Sequence, residues 1–284
     1  MQIADFPVRF QLGSPRTRSA RTEEADVRQA FSASNVKFLG SGTFGDTWRV
    51  DDRVVKLIVN EDFGAERIER EIEASTIDHP NVVHLDEVVE VEVAGERLAG
   101  LVFSYVKGRD LASVIVEEGT VPDADLRALA AGLFSGLAAI HGQGVIHRDI
   151  KPENIQLRMG AASRPVILDL GLAHIADLTS LTTYPAAIGT RSFMPPEVLR
   201  GEHAVRRSDV YAAAVTVVVA STGEHPWLAT DETITNRDLI QRVAESTPRF
   251  RTGDAEFADA IAAAMNPRAY RRPTAERLAA ALAI

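Results

Sequence analysis

Apolar and polar positions change their period partway along the chain. Up to about residue 106 they favour strands: Val36 to Gly40, Thr47 to Val50, Arg53 to Val59, Val82 to Val93 and Leu98 to Val106 are apolar runs bounded by turn residues. One helix interrupts them, Gly64 to Ile77, with Ile68 and Ile72 on one face. From Asp110 the helical period dominates. Pro122 to His141, closed by Gly142, reads as a long helix, and Ser208 to Thr222, Asn236 to Glu245, Asp254 to Met265 and Thr274 to Leu282 repeat the pattern around one short strand, Val166 to Leu168. A β-rich part followed by an α-rich part predicts an α+β fold: a β-rich N-lobe over about 35–106, a mostly helical C-lobe over about 107–284, and a cleft between them. Residues 1–34 form an extension. Its stretch Gly13 to Arg21 is small, polar and basic and reads as a flexible linker, or else as a phosphorylatable or partner-binding tail. Thr22 is expected to cap a short helix, Glu23 to Phe31, with acids in its first turn.

Composition narrows the picture mainly by exclusion. With 284 residues, 45% of them hydrophobic and 25% charged, the chain is long enough to bury a core in each of two lobes. A net charge of −9 argues against nucleic acid as the main partner, since a phosphate backbone demands a basic face. There is no cysteine, which excludes disulfides, zinc–thiolate sites and thiol nucleophiles. Met1 to Asp5 offers neither a basic start nor an apolar run, so no secretory signal is expected. The most apolar stretch, Tyr211 to Ala220, has about ten residues where a bilayer span needs roughly 20. No membrane partner and a cytoplasmic location are the expectation. His79, His84, His174, His203 and His225 lack metal-ligand spacing and read as structural or surface residues.

Candidate chemistry concentrates in a few motifs. Gly40-Ser41-Gly42-Thr43-Phe44-Gly45 fits G-x-G-x-x-G, but Asp46 to Val50 continues as strand where a dinucleotide fold would open a helix. A hairpin turn whose glycines let backbone N–H groups approach phosphates is one reading; a Gly-rich turn without ligand is the other. Lys56, one of only four lysines among 31 basic residues, lies inside the apolar run Val54 to Ile58, where a charge needs a partner or a ligand. His147-Arg148-Asp149-Ile150-Lys151-Pro152-Glu153-Asn154 packs a carboxylate base, two cations and an amide into one loop. That set suits the movement of a phosphoryl group from a nucleotide to a hydroxyl. Beyond it, Asp169-Leu170-Gly171 follows a short strand; an aspartate before a glycine can also be a plain turn former.

These motifs resemble the catalytic domain of eukaryotic-type Ser/Thr protein kinases, over about residues 36–282. The resemblance implies an enzyme that uses ATP and Mg²⁺ to phosphorylate Ser or Thr hydroxyls of protein substrates, itself included. It implies Asp149 as the base, Lys151 beside the migrating phosphoryl, and Asn154 and Asp169 as magnesium ligands. Leu39, Gly40, Ser41, Gly42, Thr43, Phe44, Gly45, Thr47, Ser104 and Val106 would surround the nucleotide, and Lys56, held by Glu71, would grip its phosphates. Gly189-Thr190 through Pro195-Pro196-Glu197 resembles the end of an activation segment, with Thr182 or Thr183 as autophosphorylation sites and Thr190 against Asp149 and Lys151. Arg148 would pair with the phosphorylated segment, Glu197 with Arg272, and Asp209 with the catalytic-loop backbone, while His147 would pack below Leu170. Thr47, Val54, Ser75, Ser104 and Gln156 depart from the family's usual residues, which bears on adenine affinity, nucleotide preference and lobe coupling. The Ala and Arg bias suits a GC-rich bacterial source, and no sensor, anchor or docking module is expected beyond Leu282. Two alternatives stay open: a catalytically weak, pseudokinase-type scaffold or binding module, and a kinase-like enzyme acting on a small molecule.

Overall fold

The structure, a computed structural model, describes residues 3–13, 19–41, 45–59, 77–169, 190–250 and 252–283, with the backbone alone for Thr190. The expected helix Gly64 to Ile77, apart from Ile77 itself, lies outside the described residues. The chain forms two compact units: Pro15–His79 with Val83–Lys107, and Met1–Ser14 with Pro80–Val82 and Gly108–Ile284. The extension is shared out, giving β1 (Pro7–Arg9) to the larger unit and α1 (Glu24–Ala30) to the smaller.

In the smaller unit β2 (Val36–Ser41), β3 (Gly45–Val50), β4 (Arg53–Ile58), β5 (Leu85–Val93) and β6 (Glu96–Ser104) form an antiparallel sheet in the order β2-β3-β4-β6-β5. Alternation along the strands sets its faces. Val36, Trp48, Val50, Val55, Leu57 and Val102 build a core on one face, together with Val27 of α1. Thr47, Lys56 and Leu101 stand opposite one another in register on the other. The β5–β6 turn places Ala94 and Gly95 at φ 52° and 85°, the left-handed pair that a two-residue hairpin requires. α1 is held by Val27, which is fully buried; burial of such a side chain contributes about 1.5–3 kcal/mol. The helix starts one residue later than the pattern predicts. Its N-cap is Glu23, which makes no side-chain cap bond, because Thr22 turns instead toward Asp46 on the sheet.

The larger unit holds β7 (Gly108–Asp110), α2 (Leu111–Glu118), α3 (Asp123–Gly142), β8 (Ile155–Arg158), β9 (Pro165–Ile167), α4 (Pro196–Leu199), α5 (Arg206–Thr222), β10 (Thr233–Thr235), α6 (Asn236–Glu245), α7 (Ala255–Ala264) and α8 (Ala275–Leu282). α5 is buried on every side from Ser208 to Ala220 and forms the centre of the unit, ending at Gly223 with φ 71°. α3 packs on α5 and α8. At Gly136 of α3 a Cβ would lie 2.8 Å from the Asn81 carbonyl oxygen, so only glycine lets the helix approach that segment. The strand expected from Val82 begins at Leu85 instead. Asn81 donates to the Pro165 carbonyl at 2.7 Å and accepts from the Ile167 N–H at 2.8 Å, and Val82 bridges Ile167. These tertiary partners on β9 override the local strand pattern. β7, β8 and β9 form a three-stranded sheet flanking the catalytic loop, and β1 pairs with β10 through Pro7–Thr235, Val8–Ile234 and Arg9–Thr233. Among the described residues no helix is long and apolar enough to cross a membrane.

Candidate active site

The loop between α3 and β8 has a conformation that its local sequence would not choose alone. Arg148 has φ 68°, a left-handed geometry that costs a side-chain-bearing residue about 1 kcal/mol or more. Asp209 of α5, 1% exposed, holds it there. Its Oδ2 accepts from the His147 N–H at 2.8 Å and from His141 Nε2 at 2.9 Å, and its Oδ1 accepts from the Arg148 N–H at 2.8 Å. A buried carboxylate with three donors is a stable arrangement; with none it would be costly. His147 is fully buried, and its Nδ1 accepts from the Asp149 N–H at 3.3 Å. The proton therefore sits on Nε2, which donates to the Leu168 carbonyl at 3.0 Å and ties the loop to the strand end leading to Asp169. The Leu170 that His147 is expected to support lies outside the described residues.

Around Asp149 two predicted residues converge. Lys151 Nζ donates to Asp149 Oδ1 at 2.9 Å and to Oδ2 at 2.8 Å. Asn154 Nδ2 donates to the Asp149 carbonyl at 2.7 Å and to its Oδ2 at 3.0 Å. Asn154 itself sits in the turn Pro152–Asn154, where its carbonyl accepts from the Leu168 N–H at 2.8 Å. The Asp149 side chain remains 31% exposed and that of Lys151 18%. A carboxylate fixed in this way, solvent-accessible and with a cation beside it, has the chemistry to accept a proton. Asp169, exposed two residues past β9, has φ 56°, a second left-handed position in the same neighbourhood. Its carboxylate and the Asn154 amide oxygen are hard donors of the type magnesium takes.

In the smaller unit Lys56 is half-buried on β4 between Thr47 and Leu101. Gly40 pairs with Thr47 and Ser41 with Asp46; Leu39 falls in the bulge between Phe38 and Gly40. At Gly45 a Cβ would lie 1.7 Å from the Leu57 carbonyl oxygen, so glycine is what lets β3 lie against β4 there. Ser104 donates to both carboxylate oxygens of Asp86 at 2.9 Å, and Val106 is buried. Gly42, Thr43, Phe44, Glu71, Thr182 and Thr183 lie outside the described residues, as does the side chain of Thr190, whose backbone opens the turn Thr190–Phe193.

Away from the loop, Arg272 donates to Glu197 Oε1 at 2.6 Å and Oε2 at 2.9 Å, both side chains being buried. Arg272 also donates to the Asn266 and Arg207 carbonyls and stacks over the Tyr211 ring at 4.9 Å. Burial pushes the Glu197 carboxyl up, but the Arg272 fork and the Ser208 hydroxyl outweigh it and hold the group below its ordinary value.

One constellation escapes the motif reading. Asp46, fully buried, accepts at Oδ2 from the Arg21 N–H (2.6 Å), the Thr22 N–H (2.9 Å) and the Thr22 hydroxyl (3.0 Å), and Trp48 Nε1 donates to that hydroxyl at 3.0 Å. The available signal was the alternation of Asp46, Trp48 and Val50: an acid on a strand's buried face needs donors.

Comparison with known proteins follows the same lines. The chain is 31% identical over 256 residues to a probable serine/threonine-protein kinase, PkwA, of Thermomonospora curvata, a match covering 87% of this chain and 33% of that protein. It is 34% identical over 164 residues to the serine/threonine-protein kinase PknB of Mycobacterium leprae, covering 57% of this chain and 26% of that one. The chain thus spans a third or less of the length of these relatives. Its fold is similar to that in the crystal structure of Rad53 1-466 in complex with AMP-PNP, with a TM-score of 0.66 at 22% identity over 86% of this chain and 62% of that one. The family model for the protein kinase domain matches residues 33–282, and the chain belongs to that family.

Proposed function

We propose that this chain is an ATP-dependent Ser/Thr protein kinase. The observation that carries the reading is the Asp149 carboxylate, held between Lys151 Nζ at 2.8–2.9 Å and Asn154 Nδ2 at 3.0 Å while staying open to solvent. In the reaction a Ser or Thr hydroxyl gives its proton to Asp149 as its oxygen bonds to the γ-phosphorus. The bond from that phosphorus to the β,γ-bridging oxygen breaks, and ADP leaves. The Lys151 ammonium lies beside the base and offsets negative charge on the phosphoryl oxygens as it passes. Asn154 spends its Nδ2 on Asp149, which orients the amide, and with Asp169 it would supply hard oxygens to hold Mg²⁺. Bound there, Mg²⁺ would neutralise phosphate charge. Lys56 on β4 would neutralise the α/β-phosphates, with Glu71 as its partner, and the Gly40–Gly45 turn would offer backbone N–H groups to them. Autophosphorylation on Thr182 or Thr183 belongs to the same reading.

Radiolabelled ATP with Mg²⁺ and a mixed protein substrate tests it. Wild-type protein is expected to label Ser and Thr, and Asp149→Asn to lower the rate by about 10²–10⁴-fold. No labelling by wild type, or undiminished labelling by the variant, would overturn the reading.

A further inference from the structure

The buried carboxylate of Asp46 occupies a telling position. It directly follows Gly45, and its pairing with Ser41 is the last rung described before the glycine-rich turn. Its hydrogen bonds among the described residues come from Arg21 and Thr22, both outside the residues 33–282 that make up the kinase domain. Its second oxygen, Oδ1, is buried and has no hydrogen-bond partner among the described residues. A charge in so dry a place is tolerable only while the donors on Oδ2 stay.

We propose that Thr22 and Asp46 are positioning residues for the nucleotide: the extension fixes Gly45 and Asp46, the foot at which the glycine-rich motif joins β3, and through that foot supports nucleotide binding. The inference rests on the nucleotide-binding reading above. At that foot β3 is constrained twice. Gly45 lies so close to the Leu57 carbonyl that β3 has little freedom toward β4. On the core face Asp46 and Trp48 are both fastened to Thr22. The fastening does not hang on a loose tail, because α1 begins two residues later and buries Val27 in the sheet's core. Donors aligned in advance lose less entropy when they close on a ligand, so loosening the anchor weakens ground-state binding of ATP without touching the transferring groups.

Steady-state kinetics of Thr22→Val and Asp46→Asn test this. Valine keeps the shape and the backbone N–H of Thr22 and removes only the hydroxyl. The KM for ATP is expected to rise about fivefold in each variant, with kcat within about twofold of wild type. A merely structural role would lower the active fraction, hence kcat, at constant KM. A KM that stays at the wild-type value, or a loss confined to kcat, overturns the proposal. Hydrogen exchange in nucleotide-free protein supplies an independent reading, since it needs no activity. Amides of Gly45–Trp48 should exchange faster in Thr22→Val than in wild type while those of β6 stay protected; equal exchange removes the anchor. Failure of wild type to bind Mg-ATP in calorimetry would overturn the kinase reading instead, and the exchange result would still decide the anchor.

Discussion

Two functional segments of this molecule are each held by one buried aspartate, and the two are built differently. In the larger unit Asp209 uses both oxygens, taking the His147 and Arg148 N–H groups and the His141 ring. In the smaller unit Asp46 loads three donors on one oxygen and leaves the other without a partner among the described residues. Asp209 and its donors all lie within the family domain, whereas all three donors to the Asp46 carboxylate come from the extension ahead of it. The difference teaches how a domain acquires a private control point. Asp209 is satisfied by the loop it organises and needs nothing further. Among the described residues, Asp46 takes its donors from a separate segment.

The largest test of this contrast is Asp209→Ala. It orphans three donors, two of them buried, and releases Arg148 from its left-handed geometry, which should cost about 3–5 kcal/mol. Thermal unfolding is expected to fall by roughly 10 °C, with phosphoryl transfer lost alongside. A variant melting within a degree or two of wild type would mean that the loop is held by something other than Asp209.

How far each anchor could be read in advance follows from where its partners sit. The contacts within the His147–Asn154 loop, the Asp209 contact and the Glu197–Arg272 pair were legible because the motif residues and their partners lie within one recurrent pattern. The strands β2, β3, β4 and β6 and the long helices were legible from period alone, with ends shifted by a residue or two. β1 and β10 were not, since three-residue strands carry no usable period and owe their existence to each other. Nor was the loss of Val82 from β5, which is decided by Asn81 and its partners on β9. Thr22 misled for a physical reason. A threonine ahead of acidic residues is a fair helix cap, but a buried carboxylate competes for the same hydroxyl and wins.

A pH titration probes the larger unit from another side and should have the next largest effect. His225 is fully buried against Phe10, Phe193 and Trp227. Its Nε2 donates to the Ser192 carbonyl at 2.8 Å, and its Nδ1 accepts from the Trp227 and Leu228 N–H groups. Burial lowers its pKa from 6.5 to about 4, against the opposing pull of the Ser192 bond. The unfolded chain therefore takes up a proton near 6.5 and the folded protein only near 4, so stability is full above 6.5 and is lost as pH falls through that window. The loss should reach about 3 kcal/mol by pH 4. Urea unfolding at pH 7.5 and pH 5 measures the slope, and His225→Phe should flatten it while lowering stability at both. An equal slope in the variant would show that other groups carry the acid sensitivity.

The smallest expected effect decides whether the Asp46 anchor is as economical as it looks. Asp46→Asn keeps an oxygen for Arg21 and Thr22 and relieves a charge whose Oδ1 has no partner among the described residues, so its gain largely offsets its loss. A net cost of about 1 kcal/mol is expected, well below that of Asp209→Ala, and Thr22→Val should cost about as much. Together the two substitutions should cost less than their sum, because Asp46→Asn weakens the hydrogen bond that Thr22→Val removes; a double-mutant cycle in urea should return a coupling of about 0.5–1 kcal/mol. Additivity would mean that the Thr22 hydroxyl serves Trp48 rather than Asp46, and the aspartate would then be held by the two backbone N–H groups alone.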